Sequence, residues 1–141
     1  MLATAQATAL FILSQRDTIH VQRISIIIPV LNESAGIEVF LQSLREKASG
    51  AEIIVADGGS SDGTFDLARD RCDQCLRSDR GRALQMNAGA AAATGDVLWF
   101  LHADTKAPAN CIQQICDVLV IRKSLAVSFV SSFQAGVLSI V

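Results

Sequence analysis

Residues 24–101 alternate between short, continuously apolar runs and stretches whose apolar residues recur at helical spacing. The first run, 24–29 (I-S-I-I-I-P), is β-branched and ends in proline; such continuous apolar character suits a strand covered on both faces. Ile37, Phe40, Leu41, Leu44 and Ala48 then recur along one helical face, and Gly50 supplies a stop. Residues 52–56 (E-I-I-V-A) predict a second strand, and 57–62 (D-G-G-S-S-D) is turn chemistry throughout. A helix is expected over 64–71, carried by Phe65, Leu67 and Ala68, and a short third strand over 75–77. An Ala-rich helix follows over 82–94, stopped by Gly95, and then a fourth strand over 96–101 (D-V-L-W-F-L). Pro108 sits where a last helix could start, with Ile112, Ile115, Val118 and Leu119 continuing one face.

Strands alternating with helices imply βαβ units and a mostly parallel sheet with flanking helices, an α/β class with the first strand central. In such sheets ligands bind outside the carboxyl ends of the strands. The polar clusters fall at those ends: Asn32 and Glu33 after the first strand, Asp57 after the second, His102 and Asp104 after the fourth. Polar groups from three strand ends are thereby expected to converge on one crevice.

Composition narrows the classes. The chain has 141 residues, half of them apolar and 18% charged, enough for one buried core and one domain. That domain is assigned to 24–118, with 1–23 as an N-terminal extension and 119–141 as an apolar tail. A net charge of −2 and the absence of Tyr select against nucleic acid as partner. The apolar stretch 7–13 has no Lys or Arg before it and is too short to span a bilayer. The uncharged run 125–141 follows Arg122 and Lys123, falls short of a spanning length and leaves a membrane-surface contact open. The expected location is the cytoplasm, with association at the inner face of the cell membrane left open. Cys72 and Cys75 form a C-x-x-C, whereas Cys111 and Cys116 sit in a helical pattern, so four reduced thiols are expected rather than a zinc site.

The first βα turn is P-V-L-N-E-S, without the glycines a dinucleotide pyrophosphate needs, and no P-loop occurs. Carboxylates stand there instead. Asp57 suits a nucleoside N–H or ribose hydroxyl, or a cap on its own turn. Asp104, next to His102, suits a divalent cation on a diphosphate, which would stabilise it as a leaving group. Asp62 reads as a cap for the following helix. Arg77, Arg80 and Arg82 surround Gly81, as phosphate ligands or as a solvated basic loop.

The ordered succession I-S-I-I-I-P-V-L-N-E, I-I-V-A-D-G-G-S-S-D-G-T and G-R-A-L-Q-M-N-A-G-A-A-A-A-T-G-D-V-L-W-F-L-H-A-D-T resembles family 2 glycosyltransferases. It is most similar to the bacterial branch in which H-A-D-T stands where most members have D-x-D. The resemblance covers 24–108 and implies a Rossmann-like GT-A nucleotide-diphospho-sugar transferase fold. It also implies a nucleotide-diphosphate sugar donor, with a UDP-sugar expected, a Mg²⁺ or Mn²⁺ ion and an inverting displacement. Carried over, Pro29, Val30, Asn32 and Glu33 line the nucleotide pocket, and Asp57 binds base or ribose. Arg82 and Asn87 approach the nucleotide and diphosphate. Asp104 is the retained metal ligand, and His102 replaces the first carboxylate of D-x-D.

Members of this family continue into an acceptor-binding half that supplies the general base, and here no Asp or Glu follows Asp117. The sequence pattern therefore reads as a truncated member whose acceptor is unidentified, a lipid-linked one included. The alternatives are a catalytically inactive nucleotide-sugar-binding fragment of a truncated or frame-shifted gene and, more distantly, a small α/β interaction module with no nucleotide.

Overall fold

The computed structural model describes residues 23–126. Four strands and four helices alternate along it: β1 (Ile24–Val30), α1 (Ile37–Lys47), β2 (Glu52–Asp57), α2 (Thr64–Arg69), β3 (Gln74–Arg77), α3 (Arg82–Ala92), β4 (Val97–Phe100) and α4 (Cys111–Ala126). All strand pairs are parallel and the sheet order is β3-β2-β1-β4, so β1 lies in the interior as expected. The register sets Val30 beside Asp57 and Asp57 beside Arg77, which puts the carboxyl ends of β1, β2 and β3 level.

The continuous apolar character of β1 has a direct use, because both of its faces are covered. Ile24, Ile26, Ile28 and Val30 join Ile37, Leu41 and Leu44 of α1, Ile53 and Val55 of β2 and Ala68 of α2 in one buried cluster. Cys111, Ile112 and Ile115 of α4 extend that cluster. The other face carries α3, whose Gly89 lies so close to Ile27 that a Cβ there would collide with the Ile27 side chain. Each fully buried Ile is worth about 1.5–3 kcal/mol relative to exposure, so β1 alone anchors much of the domain.

Element boundaries depart from the sequence pattern by a residue or two. β1 and β2 each run one residue further, to Val30 and Asp57, because parallel pairing continues to the strand ends. α2 stops at Arg69, two residues short of its expected end, and Cys72 lies in the turn before β3. α4 continues past residue 118, where the pattern set the domain boundary. Among the described residues no helix is long and apolar enough to cross a membrane. The extension up to residue 22 and most of the uncharged run, 127–141, lie outside the described residues.

The amino ends of the strands are closed by a polar cluster around Glu52. Its carboxylate accepts hydrogen bonds from Ser25 Oγ, from the Thr94 N–H at 2.9 Å and hydroxyl at 3.1 Å, and from Gln74 Nε2 at 3.1 Å. Arg23 and the Gly95 N–H complete it by donating to Thr94 Oγ1 and Ser25 Oγ. Burial pushes the Glu52 pKa up, yet the bonds from Ser25, Thr94 and Gln74 outweigh it and hold the carboxyl below its ordinary value.

Candidate functional site

At the opposite, carboxyl end of the sheet an open cleft of about 620 Å³ forms from three chain segments. Pro29, Val30, Leu31 and Glu33 contribute one wall where β1 ends; Arg80, Gly81, Arg82 and Gln85 form the second; His102, Ala103 and Asp104 form the third, just after β4. Of the polar residues expected to converge from the strand ends, Glu33, His102 and Asp104 line this cleft; Pro29, Val30 and Arg82, to which the family resemblance pointed, line it too.

The second wall is positively charged. Gly81 has φ +148°, a conformation that side-chain-bearing residues rarely adopt, and it starts α3 without any side-chain cap. The first-turn amides of a helix lack intrahelical partners and carry the positive end of its dipole. Arg80 and Arg82 are exposed beside it, and among the described residues neither is engaged in an ion pair. Arg77 is differently employed: its guanidinium stacks over the Phe65 ring, 4.2 Å from the centroid.

The third wall carries metal-capable groups. His102 and Asp104 are exposed, and neither side chain hydrogen-bonds to another described residue. Among the described residues no cluster of three or more His, Cys, Asp or Glu side chains forms a closed cage. An imidazole and a carboxylate on a shared cleft fit a divalent ion that takes its other ligands from phosphate oxygens and water.

Asp57, Asn32 and Asn87 are not part of the cleft wall. Asp57 is fully buried at the end of β2 and does cap its own turn: Oδ1 accepts the Gly59 and Ser60 N–H groups, both at 2.8 Å. Its Oδ2 is buried with no hydrogen-bond partner. A buried carboxylate oxygen without a donor is costly in a folded chain, and this one lies off the cleft wall. Asn32, held at φ 54°, is spent on joining two loops. Its Oδ1 accepts the Ser61 N–H at 3.0 Å and its N–H donates to Ser60 Oγ at 2.9 Å.

Asp62 strengthens the same joint. It accepts from Thr64, in an Asx-type turn just before α2, and from the Ser34 N–H at 3.0 Å. The Thr64 hydroxyl, followed by the Ser34 bonds, holds its carboxyl well below the usual range. Asn87 lies two residues beyond Gln85 on α3, on the face turned away from the sheet, and is exposed.

Gln85 is the site residue that the sequence pattern did not single out. It is buried, and its Nε2 donates to the carbonyls of Val30 at 2.7 Å and Ala56 at 2.9 Å, tying α3 to the ends of β1 and β2. Gly58 leaves room for it, since a Cβ there would meet the Gln85 amide at 2.8 Å. The available signal was the spacing Gln85–Gly89, which puts an amide on the same helical face as the glycine that touches the sheet.

A parallel sheet with flanking helices and a polar cleft over its carboxyl edge defines an α/β class whose ligands bind at the strand ends. The glycosyl transferase family 2 model matches residues 25–138, and the chain belongs to that family. A glycosyltransferase of Nostoc sp. is 33% identical over 104 residues, 68% of this chain and 32% of its own length. Among solved structures, the glucosyl-3-phosphoglycerate synthase of Mycobacterium tuberculosis, in complex with Mn²⁺, UDP and glucosyl-3-phosphoglycerate, superposes with a TM-score of 0.59. It is 26% identical, over 70% of this chain and 39% of that one. The mannosyltransferase PcManGT of Pyrobaculum calidifontis, in complex with GDP-Man and Mn²⁺, gives 0.56 at 26% identity, over 81% of this chain and 34% of that one. The fold is thus that of GT-A glycosyltransferases. The chain spans about a third of the length of the curated relatives it matches.

Proposed function

We propose that this chain binds a nucleoside-diphosphate sugar, a UDP-sugar by preference, with Mn²⁺ or Mg²⁺, as the donor part of an inverting glycosyl transfer. The observation that carries this is the composition of the cleft walls: Arg80, Arg82 and the uncapped start of α3 on one side, His102 and Asp104 on another. The arginines and helix amides receive the diphosphate. His102 and Asp104 hold the divalent ion, which when bound neutralises the diphosphate and improves it as a leaving group. Pro29, Val30 and Glu33 line the nucleotide side. Asp57 Oδ2 accepts an N–H of the base, which supplies the donor it lacks. The UDP and GDP-Man held with Mn²⁺ by the two solved relatives support the donor class.

Among the described residues only Glu33 and Asp104 bring carboxylates to the cleft wall, and both face donor or metal in this reading, so no described residue is assigned as general base. That favours a second reading in which the 141-residue chain binds donor without turning it over at an enzymatic rate. Calorimetry of the full chain with UDP, with and without Mn²⁺, tests the shared part. We expect binding that tightens about tenfold or more with Mn²⁺, a gain that Asp104→Ala removes. Absence of UDP binding in both conditions overturns the donor assignment, and equal affinity in both overturns the metal pair. A turnover assay with labelled donors then separates transfer from binding alone.

A further inference from the structure

Gln85 stands where α3 meets the ends of β1 and β2. It belongs to the first turn of α3 and lines the cleft with Gly81, Arg82 and Val30, yet only 5% of it is exposed. A side-chain amide nitrogen carries two hydrogens, and both of those on Gln85 Nε2 are spent. They go to the Val30 carbonyl at 2.7 Å and the Ala56 carbonyl at 2.9 Å. The Val30 carbonyl also accepts the Gly58 N–H at 3.0 Å, so two strand ends and the turn after β2 meet at this amide. Gly58 confines it further, since a Cβ there would lie 2.8 Å from the Gln85 Cδ. Turning the amide over would set Oε1 against two carbonyl oxygens, acceptor against acceptor, so its orientation is fixed. Oε1 is the free end. No described residue donates to it, and among the described residues the buried side-chain atom without a partner is Asp57 Oδ2, not this one. Gln85 Oε1 is therefore open to the cleft that the residue lines.

A fixed acceptor admits a donor and repels an oxygen that can only accept. Ionised phosphate oxygens only accept, and Arg80, Arg82 and the start of α3 stand on the same wall to take them. A uridine nucleotide offers its donors elsewhere: an N–H on the base, assigned above to Asp57, and the ribose hydroxyls. We propose that Gln85 is a specificity-determining residue of the cleft, its Oε1 accepting a ribose hydroxyl of the bound nucleotide. The inference rests on the donor reading given under the proposed function. Because main-chain carbonyls hold Nε2, the acceptor needs no reorientation when the nucleotide enters. A nucleotide without the hydroxyl would cover Oε1 and leave it without a donor, which costs affinity.

The test is calorimetry of the full chain with Mn²⁺ and, in turn, UDP, 2′-deoxy-UDP, 3′-deoxy-UDP, CDP and pyrophosphate. Wild type should bind one of the deoxy analogues about tenfold more weakly than UDP. Gln85→Met keeps the length of the side chain and removes the acceptor. It should bind UDP about tenfold more weakly, no longer distinguish that analogue from UDP, and keep its pyrophosphate affinity within about twofold. Gly58→Ala, which displaces the amide without deleting it, should blunt the same discrimination. Equal affinity of wild type for UDP and both deoxy analogues overturns the proposal, whether or not either variant folds. An equal loss of UDP and pyrophosphate binding in Gln85→Met also overturns it, because the residue would then only hold α3 in place. So does discrimination lost against CDP instead of the deoxy analogues, because Gln85 would then read the base. A wild type that binds no nucleotide fails the donor reading itself; UDP binding without ribose discrimination fails this inference alone.

Discussion

Strand β2 begins and ends with a carboxylate, and the two are treated differently. Glu52, at the amino end, meets donors from Ser25, Thr94 and Gln74 within the chain. Asp57, at the carboxyl end, satisfies one oxygen on its own turn and leaves the other buried without a partner. A buried acceptor left open costs about 1–3 kcal/mol, and one fully met by the chain has nothing left to offer a ligand. The comparison separates a carboxylate whose partners close the fold from one that keeps an unpartnered oxygen, though both belong to the same strand.

The largest effect that would break this contrast is on ligand affinity. Asp57→Asn keeps an oxygen for the Gly59 and Ser60 amides but replaces the open acceptor, so UDP binding should weaken about 10–100-fold by calorimetry. Its unfolding free energy should change by less than about 1 kcal/mol, because the lost group was unpartnered. A large stability loss with unchanged binding would reverse the roles assigned to the two ends.

Glu52→Gln should do the opposite. It should cost about 1–2 kcal/mol in urea unfolding at neutral pH and leave UDP affinity unaltered. The pH dependence sharpens this. The Glu52 carboxyl is held below its unfolded value, so its contribution is full above the unfolded pKa and fades as pH falls through the folded one. The difference between wild type and Glu52→Gln should therefore shrink as pH falls below the unfolded value of about 4.5. A difference that is flat with pH would mean the hydrogen bonds do not favour the charged form. The smallest effect belongs to Asn87→Ala, expected within about 0.5 kcal/mol of wild type in stability and without change in UDP binding, since that side chain lies off the cleft wall. A measurable loss of affinity would extend the site along α3 beyond its first turn.

The alternation of elements was legible because β1 and β2 carry unbroken apolar runs, which parallel strands covered on both faces require. Glu33, His102 and Asp104 were legible as a group because parallel strands bring their following residues to one end, whereas Pro29, Val30 and Arg82 were legible through the family resemblance. Partners distant in sequence were not legible. Asn32 looked as free for a ligand as Glu33, yet its oxygen is taken by Ser61, and nothing in the local pattern states that the two loops meet. Gln85 was hidden for a related reason: a single amide in an Ala-rich helix carries no periodic signal until the carbonyls of Val30 and Ala56 are known to lie beneath it. The edge strand β3, with half-buried residues and only four positions, gave the weakest apolar pattern and began one residue early.

The joint between the loops after β1 and β2 bears on the order in which the molecule is made. Its bonds, Asn32 with Ser60 and Ser61, Glu33 with Thr64, and Ser34 with Asp62, connect residues about thirty positions apart, and β1 meets β4 across roughly seventy. None of these bonds can form on an isolated βα unit. During synthesis and refolding, β1 and its helix wait for β2 before the loop geometry exists, and the β1 edge that pairs with β4 stays open longest. Amide hydrogens at Asn32, Ser34 and Ser61 should therefore gain protection only once β1 and β2 have come together, which pulse-labelling hydrogen exchange during refolding checks.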